Sequence, residues 1–367
     1  LTSREAFAEY LAGVKKPFMK TFYEWQRRRL KILLDPKGRP VGGQWSYDAE
    51  NRQRLPKDMI LPKPPRQQPS SATQAVMSMV GEKFKDHPGD AKTFWLPVSR
   101  TTALAWIDEF VSRKLEDFGP YEDAITEKSA FVFHSMLSPA LNLGLITPDE
   151  VIERVLSASE RAPLPSIEGF VRQVIGWREF IRGIDRQFGD EQSERNFFGH
   201  HRRLTDSWYQ AKTGIPPLDG AIRHVVEYGF THHIERLMIL SNLMLLCQVH
   251  PQEVYRWFME MFVDSSDWVM GPNVYGMGQF SDGGIFATKP YVCGSNYMLK
   301  MSDYTSGDWT LAVDGLYWGF VDRNRAYYVK NPRSSLAVKQ FDKIPKPRQQ
   351  ALQAAAEEFL AAHTKDG

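Results

Sequence analysis

Apolar residues recur three and four positions apart along most of the chain, and strand-like alternation of apolar and polar residues is scarce. That period is the signature of amphipathic helices. The pattern predicts helices over 101–116, 147–158, 165–184, 217–228, 229–247 and 251–263, separated by short Pro/Gly breaks. An Ala-rich helix follows at 346–363, with Pro345 and Pro347 near its start. The chain opens on a further helix, with Thr2 or Ser3 as its N-cap and Glu5 near the third helical position. Residues 18–34 continue helical, with Phe18, Phe22, Trp25 and Leu30 near helical spacing, and residues 35–45 carry turn chemistry. The apolar run Leu237 to Cys247 reads as a helix buried on most sides. Residues 264–309, richer in Gly, Asn, Asp and Ser, read as long functional loops. Residues 56–71 hold five prolines and read as an extended linker. The expected organisation is therefore mostly α, with a leading helical segment and Pro-rich linker over 1–72 and a helical domain over 73–367.

Composition narrows the classes. A hydrophobic fraction of 42% over 367 residues permits a large core. Net charge is only +2, so the whole molecule does not attract polyanions, although the run Arg27–Arg29 and the pair Arg202–Arg203 are basic locally. These arginines read either as solvated surface or as phosphate contacts. Two widely separated cysteines, Cys247 and Cys293, make no disulfide framework and fit a reducing compartment. No apolar run is long enough to span a membrane. The expected location is the cytoplasm, or an organelle had a transit segment been removed. Gly276 and Gly278 match a phosphate-binding fingerprint only in part, and no GxSxG elbow occurs. His200–His201 and His232–His233 are adjacent pairs, and neighbours on a helix diverge by about 100°, so no metal site is expected.

Four segments, in order, resemble the FAD-binding domain of the photolyase/cryptochrome family and together cover nearly all the chain. In YEDAITEKSAFVFHSMLSPALNLGLITP (121–148), Tyr121 precedes a turn similar to the family's TSxLSPxLxxG, here His134, Ser135, Met136, Leu137 and Ser138. The resemblance implies that this turn binds the FAD diphosphate, with His134 in place of a Thr. Hydroxyls and free amides at a helix start suit an anion, although a plain N-cap uses the same residues. FVRQVIGWREFIRGI (170–184) resembles the family's WREFYR helix, which implies that Trp177, Glu179 and Arg182 line the flavin cavity. Glu179 and Arg182, three apart, also suit a simple surface pair. TGIPPLDGAIRHVVEYGFTHHIERLM (213–238) is similar to TGxPxxDAxMRxL…GWxHNRxRM. Phe230 takes a family Trp position. Arg236 matches an Arg that contacts flavin. His233 matches the catalytic His of (6-4) photolyases, and is the candidate acid that neutralises charge on the lesion. FVDSSDWVMGPNVYGMGQFSDGG (262–284), KPYVCGSNYMLKMSDY (289–304), LYWGF (316–320) and GRPVGGQWSYDAENR (38–52) resemble the prokaryotic (6-4) photolyase-related branch. Asp264 then faces the isoalloxazine ring.

The departures are as specific as the matches. The branch's iron–sulfur cluster needs four thiolates. Its cysteine positions fall at Gly220, Thr305, Asp308 and about Leu311, so no cluster is expected. The resemblance puts Met270 opposite flavin N5, where a thioether donates no proton. Trp257 matches the flavin-proximal, electron-feeding Trp. Phe258 replaces the next oxidisable residue, and the outer Trp position falls at Lys212, near Trp208 and Tyr209. The family's N-terminal antenna domain does not precede this sequence; it is expected to have been trimmed, to be a separate chain, or to have been lost. The resemblance implies FAD as cofactor, damaged DNA as partner, and light-driven repair of (6-4) photoproducts. A blue-light sensor without repair and a flavin-free interaction subunit with a protein partner are the alternatives.

Overall fold

The computed structural model describes residues 1–63, 68–158, 160–332 and 334–367, and is helical almost throughout. Among the described residues the only β-ladder is a two-residue antiparallel pair, Arg203–Leu204 with Thr364–Lys365. The Pro-rich segment falls partly outside the described residues, at Pro64–Gln67.

Local chemistry sets most helix ends. Ser3 caps the helix Arg4–Ala12 by accepting from the Ala6 amide, and Thr147 and Glu150 form a capping box on Pro148–Ser157. The helix Pro216–Tyr228 starts on prolines and stops at Gly229, whose φ of 59° ends it with a left-handed residue. The expected helix 229–247 is thereby shortened, because helical geometry resumes only near His233 and runs to Leu246. The expected helix 165–184 is longer, running from Leu164 to Glu194 without a break.

The loop reading of 264–309 is corrected. A helix occupies Asp267–Gly278, and another occupies Ser295–Met301. Gly276 and Gly278 mark tight packing, while Gly283 and Gly284, at positive φ, lie in the irregular backbone between the two helices. A Cβ on Gly276 would overlap the Phe286 ring, and one on Gly278 would overlap the Ser241 hydroxyl.

Core positions follow the apolar periodicity. Ile239, Leu240 and Leu243 to Cys247 are fully buried, as the run Leu237–Cys247 implied. Each such Leu contributes roughly 1.5–3 kcal/mol by leaving water. The leading segment does not build a core of its own. Phe7, Tyr10 and Phe22 pack with Phe180, Ile184, Leu237 and Phe286. Arg172, only 4% exposed in its side chain, binds Asp48 at 3.0 Å and ties residues near 48 to the body.

Three helices contain a wide π-type turn: Arg172–Arg178, Glu235–Ser241 and Pro272–Gly278. Such turns are rare and are frequent at functional sites.

Candidate functional site: a charged cavity walled by three wide turns

All three wide turns border one cavity of about 310 Å³. That lies at the small end of cofactor pockets. Each helix presents lining residues four apart: Gln173, Trp177 and Ile181; His233, Leu237 and Ser241; Val269, Asn273 and Met277. On a regular helix such a stripe drifts by about 40° per step, and a wider turn takes the drift back. The turn 134–138 closes another side. It is strained. Met136 has φ of 53° and Val132, β-branched, has φ of 45°.

The charged centre is Arg236 with Asp264. The guanidinium grips both carboxylate oxygens, at 2.9 and 3.1 Å. Ser138 donates to the same carboxylate at 2.6 Å, and Asn142 donates to the Asp264 carbonyl at 2.9 Å. Arg236 also donates from Nε to the Thr231 carbonyl and lies over the Phe262 and Phe230 rings. A bidentate, hydrogen-bonded pair is the arrangement in which buried charges hold one another in place.

Histidines cluster beside it. His134 and His232 stack with centroids 4.8 Å apart. Burial pulls the His134 pKa down to about 4 against its hydrogen bond to the Glu122 carbonyl. His232 is buried, its pKa is lowered for the same reason, and neither ring nitrogen has a hydrogen-bond partner among the described residues. His233 is exposed to water at the cavity lip. Its pKa is lowered to about 4, first by desolvation and then by Arg236. A wetted ring keeps more proton affinity than a sealed one, so that lowering applies most fully when the cavity is filled.

Part of the lining is acidic, from Glu122 and Asp123. Burial raises Glu122 to about 8, partly offset by Arg172, and raises Asp123 to about 6, partly offset by Arg52.

Of the residues expected to hold cofactor, the structure brings His134, Ser135, Leu137, Ser138, Trp177, Phe230, His233, Arg236, Asp264 and Met270 around this one cavity. Tyr121, Glu179 and Arg182 are not among its lining residues. Tyr121 packs on Phe133. Glu179 accepts from the Thr2 amide at 2.7 Å, and Arg182 donates to the Thr2 carbonyl at 2.7 Å. Both therefore anchor the leading segment, and the continuous helix turns them away from the stripe of Trp177 and Ile181. Trp257 is fully buried behind Phe258, which does line the cavity; the two rings are 5.4 Å apart. Tyr209, half-buried, is 6.4 Å from Trp257 on the other side.

The phosphate reading of Arg27 is overturned. It is fully buried and donates to the carbonyls of Ile32, Leu33 and Trp45. Arg28 lies on the Trp45 ring, and Arg202 binds Thr364. His200, expected within a histidine pair, is buried against Phe198 and Phe320, with its pKa lowered to about 3 by burial.

Sequence reasoning missed Arg178, Trp268, Asn273, Gln173 and the acidic residues Glu122 and Asp123. Arg178 sits 4.9 Å over the Trp268 ring, next to Trp177. The four-residue stripes were a usable signal for the helical members.

The cavity's donors fit a large cofactor with an anionic part: an internal Arg, a small-residue turn, and orphaned buried imidazole nitrogens. The iron–sulfur positions fit no cluster. Gly220, Thr305, Asp308 and Leu311 carry no thiol. Cys247 is buried elsewhere, and the Cys293 amide is held by the Asn242 side chain. A Cβ at Gly220 would overlap the Tyr304 hydroxyl, so Tyr304 occupies the space a ligand there would need. Gly220→Ala is expected to lower stability by about 1–3 kcal/mol as an overpacked site. The same change in a Tyr304→Phe background should cost much less, since only the hydroxyl is in the way. Equal costs in urea melts of both backgrounds would refute this.

Fold and site define a mostly helical cofactor-binding domain with a charged cavity. Residues 1–96 match the family described as deoxyribodipyrimidine photo-lyase-related protein, and residues 170–297 match the FAD binding domain of DNA photolyase. The chain is 36% identical to a (6-4) photolyase of Agrobacterium fabrum, over 98% of this chain and 73% of that one. It is also 44% identical to the uncharacterized protein R855 of Acanthamoeba polyphaga mimivirus, over 30% of this chain and 90% of that one. A bacterial class III photolyase structure from Agrobacterium tumefaciens aligns with a TM-score of 0.47 at 21% identity, covering 84% of this chain and 63% of that one. The chain belongs to the photolyase/cryptochrome family, and FAD is the cofactor its domain takes. No helix among the described residues is long and apolar enough to cross a membrane.

Proposed function

We propose that this protein is a light-driven DNA repair enzyme of the (6-4) type, with FAD held in the cavity described above. The observation that carries the reading is His233 at the cavity lip, directly beside the buried Arg236–Asp264 pair that would fix the cofactor. Bound there, FAD supplies an electron donor excited by blue light. Arg236 and Asp264 orient it, and Ser138 and Asn142 hold Asp264 still. Trp177, Trp268 and Arg178 offer flat faces and a positive charge to a base flipped from the duplex, and flipping is cheapest at a lesion because its stacking is already lost. His233 is placed to put a proton on the lesion.

A sensor without repair is the second reading. It is favoured by Met270, which presents a thioether to the cavity, and by Phe258, which is hard to oxidise, between the cavity and Trp257. The residues of the cavity are the same in both readings.

The test has two stages. The purified protein is expected to absorb in the blue with about one FAD per chain, a single pocket of this size holding one cofactor. Illumination should then restore bases in an oligonucleotide carrying one (6-4) photoproduct. Flavin without restoration under reducing conditions leaves the sensor; no flavin after incubation with FAD refutes both readings.

A further inference from the structure

Behind the cavity wall lies a set of titratable groups that the proposed function leaves unused. Glu235 is fully buried, next to Arg236 on the same wide turn. Its ionic partner among the described residues is His224, whose Nδ1 lies 3.1 Å from Oε2. The Thr231 hydroxyl donates to the same oxygen, and Oε1 has no hydrogen-bond partner among the described residues. Thr231 lines the cavity. His224 reaches the other way. Its Nε2 lies 3.3 Å from the Glu127 carbonyl, and 10% of its side chain meets solvent. A carboxylate taken this far out of water is costly, and a neutral amide in its place would brace the same two helices. The choice of an acid and an imidazole, in line between solvent and cavity, calls for a role in moving protons.

We propose that His224, Glu235 and Thr231 form a proton path from the protein surface into the cavity. The proposal rests on the reading that flavin is reduced there. His224, protonated from water, passes its Nδ1 proton to the Glu235 carboxylate. The Glu235 acid then gives a proton to the Thr231 oxygen as the Thr231 hydroxyl releases its own into the cavity. Each residue ends as it began, and one proton has moved inward. It balances the negative charge of one electron brought into the cavity by a thiol reductant.

The surroundings set the direction. Burial works against charge on His224, but the hydrogen bond and charge of Glu235, with the Glu127 carbonyl, outweigh it and raise its pKa; Arg223 opposes weakly. On the cavity side, His134, His232 and His233 are all held towards neutrality, with Arg236 beside them. On the remaining side, burial and then Glu235 keep the Tyr304 hydroxyl protonated, with Glu127 and Asp303 beyond it. Charge therefore collects at the outer end and is awaited at the inner one. Met270 supplies no proton from the cavity wall.

The test uses the full chain loaded with FAD, and the variants Glu235→Gln and His224→Gln. A pH-indicator dye follows proton uptake in unbuffered solution during blue-light reduction by a thiol. Glutamine keeps size and hydrogen bonding at either position but breaks the transfer. Uptake is expected to slow by about tenfold or more in each variant, with flavin content unchanged. In flavin-free protein, NMR titration should show the His224 pKa falling by about one unit in Glu235→Gln. Unaltered uptake in a flavin-loaded variant, or an unmoved His224 pKa, overturns the path alone. A chain that takes up no flavin overturns the proposed function and the path with it.

Discussion

Asp264→Ala is expected to abolish flavin binding and to cost about 3–5 kcal/mol of stability, because it breaks a buried ion pair from one side. Asp264 is 5% exposed and receives both Arg236 nitrogens and the Ser138 hydroxyl. Without it, Arg236 keeps one carbonyl and two aromatic faces for a charge it cannot give up. Loss of one partner is worse than loss of both, since the survivor stays buried and unpaired. The double variant Asp264→Ala/Arg236→Met is therefore expected to recover much of the stability while still failing to hold flavin. Urea unfolding and retained FAD measure the two effects separately. An Asp264→Ala protein that melts with the unaltered one and keeps its flavin would show that the pair neither anchors the cavity nor serves it.

His233→Ala is expected to leave flavin in place and to slow repair by about 10²–10⁴, the usual range for a lost general acid. The pH dependence has a definite sign. With its pKa lowered to about 4, His233 is mostly neutral at pH 7 and gains its proton as pH falls. Repair per absorbed photon should rise about tenfold per unit between pH 7 and pH 5. The His233→Asn variant should lose that slope. A flat profile in the unaltered protein would place the proton donor elsewhere. Stability moves the opposite way. His134 and His200 have folded pKa values lowered to about 4 and 3, below the ordinary 6.5. The unfolded chain therefore binds those protons first, and stability falls as pH drops from 6.5 towards 4. The activity gain has to be read above the pH at which the protein melts.

How much of this was legible beforehand differs by residue. Most helices followed from apolar spacing, because burying one stripe is a local demand that each segment states for itself; those at Asp267–Gly278 and Ser295–Met301 did not, because their Gly, Asn and Ser content hid the period. Ser3, one of the two caps expected for the first helix, was legible because capping too is a local demand. The turn 134–138 and the positions Phe230, His233, Arg236 and Asp264 were found through a resemblance to known motifs, and all line the cavity. The absence of the branch's cluster was expected from the same resemblance, which puts its four cysteine positions at Gly220, Thr305, Asp308 and about Leu311.

Tertiary structure decided the rest. Arg27 and Arg28 are neighbours in a basic run and both reach the Trp45 ring, yet the first is sealed among carbonyls and the second stays exposed, because only the first points into the fold. Trp177 and Arg182 share one helix, but only Trp177 meets the cavity, and the wide turn sets which face does so. The π-type turns themselves left only a faint trace, a four-residue stripe close to the ordinary helical one. The path from His224 through Glu235 to Thr231 left none. Its members lie on two segments that Gly229 separates and only packing brings together. Periodicity records what each segment must bury; which charged groups meet once it is buried depends on the distances between segments, and those exist only in the folded chain.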